Sequence, residues 1–256
     1  MENQSPVQSL DRAFDLIERL SLNPDGMLLM ELSTASGLHK STVHRLLSAL
    51  ISLGYVRKDE SSNRYRLTLK LFELSGRVVD NIDVLEIAKP HIEQLRNHTQ
   101  EAIHLVVREG ADIVYIHKAE SKQSSIRMFS RIGMRRPMYC TAVGKSIMAT
   151  MTDDEVIRIW EKSDVKPYTE HTIVDLGSLF RELDTIRRCG YALDNEENEL
   201  GVRCIGAAIL DYTGRGRAAL SISAPLARMT DARVEELSAE ILATRTAIST
   251  ELGYKF

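Results

Sequence analysis

The chain has no apolar run near the roughly 18 residues that a membrane span requires. Its opening, MENQSPVQSLDRAF, lacks the charged-then-apolar order of a secretory leader. Cysteine is scarce. Cys140, Cys189 and Cys204 form no C-x-x-C pair and leave an odd thiol under any pairing, so no disulfide framework is expected and a reducing cytoplasm is the expected location. There is no internal repeat, no low-complexity segment and no Gly/Ser-rich tether, so any two domains should be joined semi-rigidly. Charge of one sign is also lacking: the net charge is −3, which taken alone argues against a nucleic-acid partner.

What is present changes that reading. The chain has 256 residues with 43% hydrophobic and 27% charged, enough for a sizeable core and, by length, for two domains. Between His39 and Arg66 lie six basic residues (Lys40, Arg45, Arg57, Lys58, Arg64, Arg66) against Asp59 and Glu60. The window carries +4 and leaves −7 for the remainder. A small basic module on an acidic body has the electrostatic footprint of a nucleic-acid binder.

The window opens on LHKSTVHRLLSALISLGYV, Leu38 to Val56. Val43, Leu46, Leu47 and Leu50 fall at i, i+3, i+4 and i+7, one buried helical face. Lys40, Ser41, Thr42, His44 and Arg45 cluster at the helix start, mostly off that stripe, as short hydroxyls and cations suited to phosphate oxygens and base edges. Two helices are expected before it. Leu10, Ala13, Phe14, Ile17 and Leu20 mark the first, with Ser5 or Ser9 as N-cap. After the NPDG turn (Asn23 to Gly26), Leu29, Leu32 and Ala35 mark the second, closed by Gly37 in the left-handed conformation. Helix, glycine turn, helix is the arrangement that lays a second helix in a major groove. Tyr55 to Arg57 and Arg64 to Thr68 then read as strands around the turn DESSN. The whole is a winged helix-turn-helix, with Arg57, Lys58, Arg64 and Arg66 of the wing facing phosphates.

Residues 69–82 predict a linker helix, giving boundaries of 1–68 for the winged module, 69–82 for the linker and 83–256 for the second domain. VLEIAKPHIEQLRNHTQE is helical around Pro90. Beyond Ala102, AIHLVVREG, DIVYIHKAE, SIRMFSRIG, RCIGAAILD and RAALSISAP read as strands. TAVGKSIMATM, MTDDEVIRIWEK with its T-x-x-E capping box at Thr152 and Glu155, Leu176 to Arg188 stopped by Gly190, and the segment after Thr230 to about Leu252 read as helices. Strands interspersed with helices make an α+β chain whose second domain is α/β in composition.

Several chemical motifs fail on inspection. AVGKS (Ala142 to Ser146) lacks the leading glycine of a P-loop, with Tyr139 in its place. GRGRAA (Gly214 to Ala219) is followed by strand-like residues instead of the helix of a dinucleotide fold, and reads as a hairpin turn. The carboxylates Asp194, Glu196, Glu197 and Glu199 have no histidine beside them, so a solvated loop is preferred to a metal site. No metal, cofactor or catalytic group is expected. An enzyme using Cys204 or Cys140 as nucleophile, Asp194 and a histidine (His104 or His117) as base, and a ligand-binding protein whose winged helix contacts protein, stand as lesser alternatives.

On the segments LHKSTVHRLLSALISLGYV, YRLTLKLFELSG, RRPMYCTAVGKSIMA, DNEENELGVRCIGAAI and SISAP, the chain resembles the IclR family of bacterial transcription regulators. The resemblance implies a C-terminal effector-binding domain of GAF/PAS-like layout. It also implies a small carboxylate effector held at Thr141 to Gly144 (with Ala142 and Val143), a palindromic double-stranded DNA operator, and a homodimer or homotetramer. Asp194, Cys204, Ser221 and Ser223 correspond to the pocket's polar wall, the two serines alternating on one strand so that both hydroxyls point the same way, and Arg127, Met128 and Tyr139 are further candidates. The wording of DIVYIHK, SIRMFSRIG and DNEENELGVRCIG resembles members that govern sugar-acid catabolism, so a sugar acid is expected ahead of a short keto acid or an aromatic acid. A repressor without catalysis is the leading expectation.

Overall fold

A computed structural model describes residues 7–71, 73–74, 83–120 and 130–256. The chain divides into two compact units, 1–82 and 83–256.

In the first unit, helices α1 (Gln8–Ser21), α2 (Leu29–Ser36) and α3 (Lys40–Ser52) precede strands β1 (Val56–Lys58) and β2 (Tyr65–Leu67). The buried stripe of α3 is the expected one, Val43, Leu46, Leu47 and Leu50. It packs with Leu16, Leu20, Leu32, Val56 and Tyr65 into one core. The face of α1 differs from expectation. Leu16 and Leu20 are buried, with Ala13 and Ile17 packed beside them, whereas Leu10 and Phe14 are exposed. Stripes through Leu10 and Leu16 both satisfy helical spacing, and the position of α3 selects the second. Val7 is the N-cap and offers no side-chain bond. Ser9 therefore lies inside the helix, while Ser5 falls outside the described residues. In α2, Leu32 is buried but Ala35 is exposed, because the helix is only eight residues long and turns one side inward. Gly37 closes it at φ 67° as expected.

The wing is antiparallel with Val56 opposite Leu67 and Arg57 opposite Arg66, and Met27 adds a bridge to Tyr65. Its turn is tied by Asp59. The Asp59 carboxylate accepts from the Ser61 hydroxyl at 2.6 Å and from the Ser61 and Ser62 amides. These bonds, the hydroxyl's foremost, hold the acid down at about 2.

The second unit is built on a six-stranded antiparallel sheet of order β5-β4-β3-β8-β7-β6. The strands are β3 (Ala102–Glu109), β4 (Asp112–Ala119), β5 (Arg135–Pro137), β6 (Ala192–Asn195), β7 (Val202–Leu210) and β8 (Gly216–Pro225). Helices α4 (Val84–Thr99) and α8 (Asp231–Glu251) cover one face, through Ile92, Leu95, Leu237 and Ile241 against Ile103, Leu105, Ile205 and Ile222. Helices α5 (Ala142–Met148), α6 (Asp153–Lys162) and α7 (Leu176–Cys189) cover the other, through Ile147, Val156, Leu179 and Leu183 against Val106, Ala208 and Ala219. A half-buried antiparallel sheet alternates its faces residue by residue. Here both faces are covered, so from Ala102 to Val107 of β3 and from Ala218 to Ala224 of β8 every position but His104 is apolar or small.

Caps at Thr152 (with Glu155), Thr230 and Gly190 stand where the sequence puts them. Pro90 lies inside α4 without ending it. Of SIRMFSRIG, residues 125–129 fall outside the described residues, and 130–133 are irregular chain and turn rather than strand. The edge strand is β5 instead, paired with β4. Strand β6 has no counterpart in the sequence reading because its four residues, ALDN, are too short to show a period. Most of the expected linker helix, residues 72 and 75–82, lies outside the described residues.

Candidate functional site

Two surfaces gather the residues singled out in the sequence. In the first unit, Lys40, Ser41, His44 and Arg45 are exposed on the outer side of α3, and Thr42 is half-buried. They share one face because Val43, Leu46, Leu47 and Leu50 hold the other against the core. No acidic residue stands in the first turn of α3, leaving its positive end open to phosphate. Arg57 is exposed on the wing directly opposite half-buried Arg66. Like charges opposed across a strand pair repel, and an anion between them would relieve it. Arg64 has a different occupation: it donates to the Gly26 carbonyl at 2.8 Å and pairs with Glu31 at 3.2 Å. Its first role is to tie the wing to the start of α2.

The second surface is a cleft on the α5 side of the sheet, and strand register builds it. Ser221 on β8 stands opposite His104 of β3 and Gly206 of β7, while Ser223 stands opposite Cys204. Cys204 in turn stands opposite Asp194 of β6. Four adjacent strands thus present His104, Ser221, Ser223, Cys204 and Asp194 to one cleft. The start of α5 (Thr141, Ala142, Val143) closes one side, and Asn198, Tyr115, Ser130 and Arg136 complete it. Gly206 lets α5 approach: a Cβ there would meet the Val143 nitrogen at 2.8 Å.

Six of the ligand candidates therefore meet: Ala142, Val143, Asp194, Cys204, Ser221 and Ser223. Tyr139 does not join them. It is fully buried in the core beside Trp160, its hydroxyl donating to the Lys166 carbonyl at 2.9 Å and accepting the Lys166 amide at 3.0 Å. Arg127 and Met128 lie outside the described residues. Among the described residues, the cation that lines the cleft is Arg136. His104 had entered the sequence reading only as a base for a thiol, and Arg136 and Asn198 were missed. Their places come from strand order and a loop, which leave no local pattern.

The electrostatics are those of a buried polar site. His104 approaches both Ser221 and Ser223 through Nδ1, at 3.4 and 3.3 Å, and Ser130 through Nε2 at 2.7 Å. Burial, reinforced by Lys118, lowers it to about 3, so the ring is neutral. Asp194 is 4% exposed and accepts from the Glu197 and Asn198 amides at 2.9 and 3.3 Å. Burial first and the Glu197 carboxylate second push it up to about 7. The acidic cluster is thus not a solvated loop: Asp194 and Glu197 are buried, and a buried cation faces them. Lys145 of the failed P-loop motif is fully buried and bonds Glu197, with Glu182 of α7 at 3.2 Å. Burial would depress the amine, but the two carboxylates outweigh it and hold it above its ordinary value. Burial pushes the thiols of Cys140 and Cys204 up, the opposite of an activated nucleophile. The Asn198 Oδ1 acceptor is buried without a partner.

The cleft holds about 40 Å³, space for about three water molecules. A larger occupant requires side chains to move. No group of three or more metal-ligating side chains occurs among the described residues, and no described helix is long and apolar enough to cross a membrane.

Comparison with known proteins adds two family matches. Residues 9–60 match the IclR helix-turn-helix domain, and residues 76–250 match the bacterial transcriptional regulator IclR C-terminal domain. Among curated relatives, the chain is 40% identical to the DNA-binding transcriptional repressor YiaJ of Escherichia coli over 99% of this chain and 90% of that one. It is 40% identical to the HTH-type transcriptional regulator KdgR of the same organism over 97% and 94%. Among solved structures it resembles the Agobacterium tumefaciens repressor BlcR (28% identity, TM-score 0.74, 99% of this chain and 100% of that one). The C-terminal domain of Escherichia coli KdgR is also similar (38% identity, TM-score 0.62, 68% and 100%).

Proposed function

Because this chain belongs to the IclR family of bacterial transcriptional regulators, we propose that it is a repressor whose operator affinity is set by a sugar acid bound in the cleft of the second unit. Helix α3 reads the major groove with Lys40, Ser41, Thr42, His44 and Arg45. Arg57 and Lys58 hold flanking phosphates, and Arg64 contributes by fixing the wing. Dimers on a palindromic operator match the two-fold logic of helix-turn-helix binding.

The observation that carries the ligand class is the polar lining. Among the described residues, Ser130, Ser221, Ser223, Asp194 and Asn198 converge on the cleft with the cation Arg136 and the exposed carboxylate Glu199, and the Asn198 acceptor has no partner. A hydroxylated acid satisfies these groups, with its carboxylate toward Arg136 and the start of α5 and its hydroxyls toward Asp194 and the serines. An aromatic acid would leave the Asn198 acceptor desolvated and unpaired, at about 1–3 kcal/mol. With its proton held up to about pH 7, the Asp194 carboxyl is able to donate as well as accept, which lessens its repulsion of an anionic ligand.

The test is binding of the full chain to its own promoter DNA at fixed salt, followed by fluorescence anisotropy while sugar acids, short keto acids and aromatic acids are added. A sugar acid is expected to release the DNA. Asp194→Ala and Ser221→Ala are expected to keep DNA binding and lose that response. Arg45→Ala is expected to weaken operator binding by about 1–3 kcal/mol and relax sequence preference. Promoter binding indifferent to every sugar acid, or a response unchanged in both cleft variants, would refute the assignment.

A further inference from the structure

A second concave site in the C-terminal unit is left unused by this reading. It lies where the tip of the β7–β8 hairpin meets the turn between α5 and α6, and it holds about 260 Å³. Thr150 and Met151, just past the end of α5, form its floor, whereas the start of the same helix lines the polar cleft. The two sites are therefore separate.

Its wall is the GRGR sequence that fails as a dinucleotide motif. Arg215 and Arg217 come from the hairpin and Arg108 from the end of β3. Gly216 between the two hairpin arginines donates its N–H to Thr150 Oγ1 at 3.1 Å. A Cβ there would stand 3.0 Å from that oxygen, so glycine lets the hairpin close onto the turn. Val107 is paired with Ala218, so Arg108 and Arg217 flank that last pair on their own strands, Arg217 where β8 bulges against β7. Guanidinium groups gathered at one mouth repel one another, and Arg215 adds a third charge there.

Two carboxylates stand near, both with other partners. Glu155 lies 3.5 Å from Arg215 while capping α6 through the Thr152 amide. Asp211 lies 3.7 Å from Arg217 while accepting the Thr213 and Arg215 amides of the hairpin turn. Of these, only Glu155 lines the cleft, so three cations face one anion there.

We propose that this cleft is a binding site for a small phosphate-bearing anion, its phosphoryl group held between Arg108 and Arg217. A phosphate carries close to two negative charges at neutral pH and offers three acceptor oxygens. That matches the excess charge of the wall and the forked geometry of guanidinium donors. The volume admits a phosphoryl group with a small organic body, and its concave shape between hairpin and turn suits a small molecule better than a duplex.

The test is isothermal titration of the full chain with inorganic phosphate, pyrophosphate and a hexose phosphate, ionic strength being held constant with chloride. Saturable binding is expected for at least one of them. A hexose phosphate tighter than phosphate identifies an organic ligand, and equal affinity identifies the ion alone. Arg108→Ala/Arg217→Ala, both at exposed positions, is expected to weaken binding at least about tenfold, in line with the strength of charge-assisted bidentate bonds. Glu155→Gln keeps a capping residue at that position and removes the internal competitor, so it is expected to tighten binding, a gain that misfolding cannot mimic. Asp194→Ala is expected to leave it unchanged. The proposal is overturned if none of the three binds, or if their affinity is the same in the double variant. It is also overturned if Arg57→Ala in the first unit, instead of the double variant, abolishes binding.

Discussion

His104 and Asp194 share one cleft and titrate against each other. An acid raised from its ordinary value to about 7 keeps its proton in the folded state where the unfolded chain has lost it. Its contribution is complete below the unfolded value near 4 and is lost as pH rises through about 7. A histidine lowered to about 3 stays neutral where the unfolded chain is protonated, so its contribution is complete above the unfolded value near 6.5 and is lost as pH falls toward 3. Between about pH 4 and 6.5 the two slopes oppose, each at most about 1.4 kcal/mol per pH unit. Denaturant unfolding followed by Trp160, the single tryptophan, is expected to show little net slope from this pair in that window. Asp194→Asn should unmask stability rising with pH, and His104→Gln stability falling with pH. Identical profiles in all three proteins would mean that neither group is held in the protonation state described.

At the scale of elements, the wing separates two basic residues that look alike in sequence. Arg57 points outward opposite Arg66, whereas Arg64 crosses to Glu31 and the Gly26 carbonyl. Arg57→Ala is expected to lower the salt dependence of DNA binding by about one unit of slope, with stability and sequence preference unchanged. Arg64→Ala is expected to destabilise the first unit by about 1–2 kcal/mol, the range for a half-buried charged bond, as read by its thermal unfolding. The reverse pattern would exchange their roles. Element packing also explains why AVGKS carries no phosphate chemistry: α5 is sunk against the sheet, and Lys145 is spent on Glu197 and Glu182, where it joins α5 to α7.

For the whole molecule, regulation is a statement about linkage. An effector that weakens operator affinity by some factor must itself be bound more weakly by that factor on operator-bound protein. Effector affinity measured by titration calorimetry with and without saturating operator DNA is expected to differ by the same ratio that anisotropy gives for the DNA. Equal effector affinities in the two states would show that cleft occupancy does not govern DNA binding. The charge division belongs to this scale too: a +4 window on a −3 chain concentrates the attraction to DNA in one module.

The sequence by itself determined what depends on near neighbours along the chain. Helical spacing located the buried stripe of α3, and the cap residues at Gly37, Thr152 and Gly190 marked their helix ends. Charge counting located the basic module, and alternation placed Ser221 and Ser223 on one face. Those signals survive because period, cap and turn chemistry act within a few residues. Tertiary structure decided everything that turns on which distant segment arrives. Strand order alone brings His104 to Ser221, 117 residues apart, and sets Arg136 and Asn198 beside them. It buries Tyr139 in the core, turns Asp194 and Glu197 inward toward Lys145, and chooses Leu16 over Leu10 and Phe14 on α1. Residue type states what a side chain is able to bond. The burial and partners that decide what it does bond come from contacts that no local period encodes.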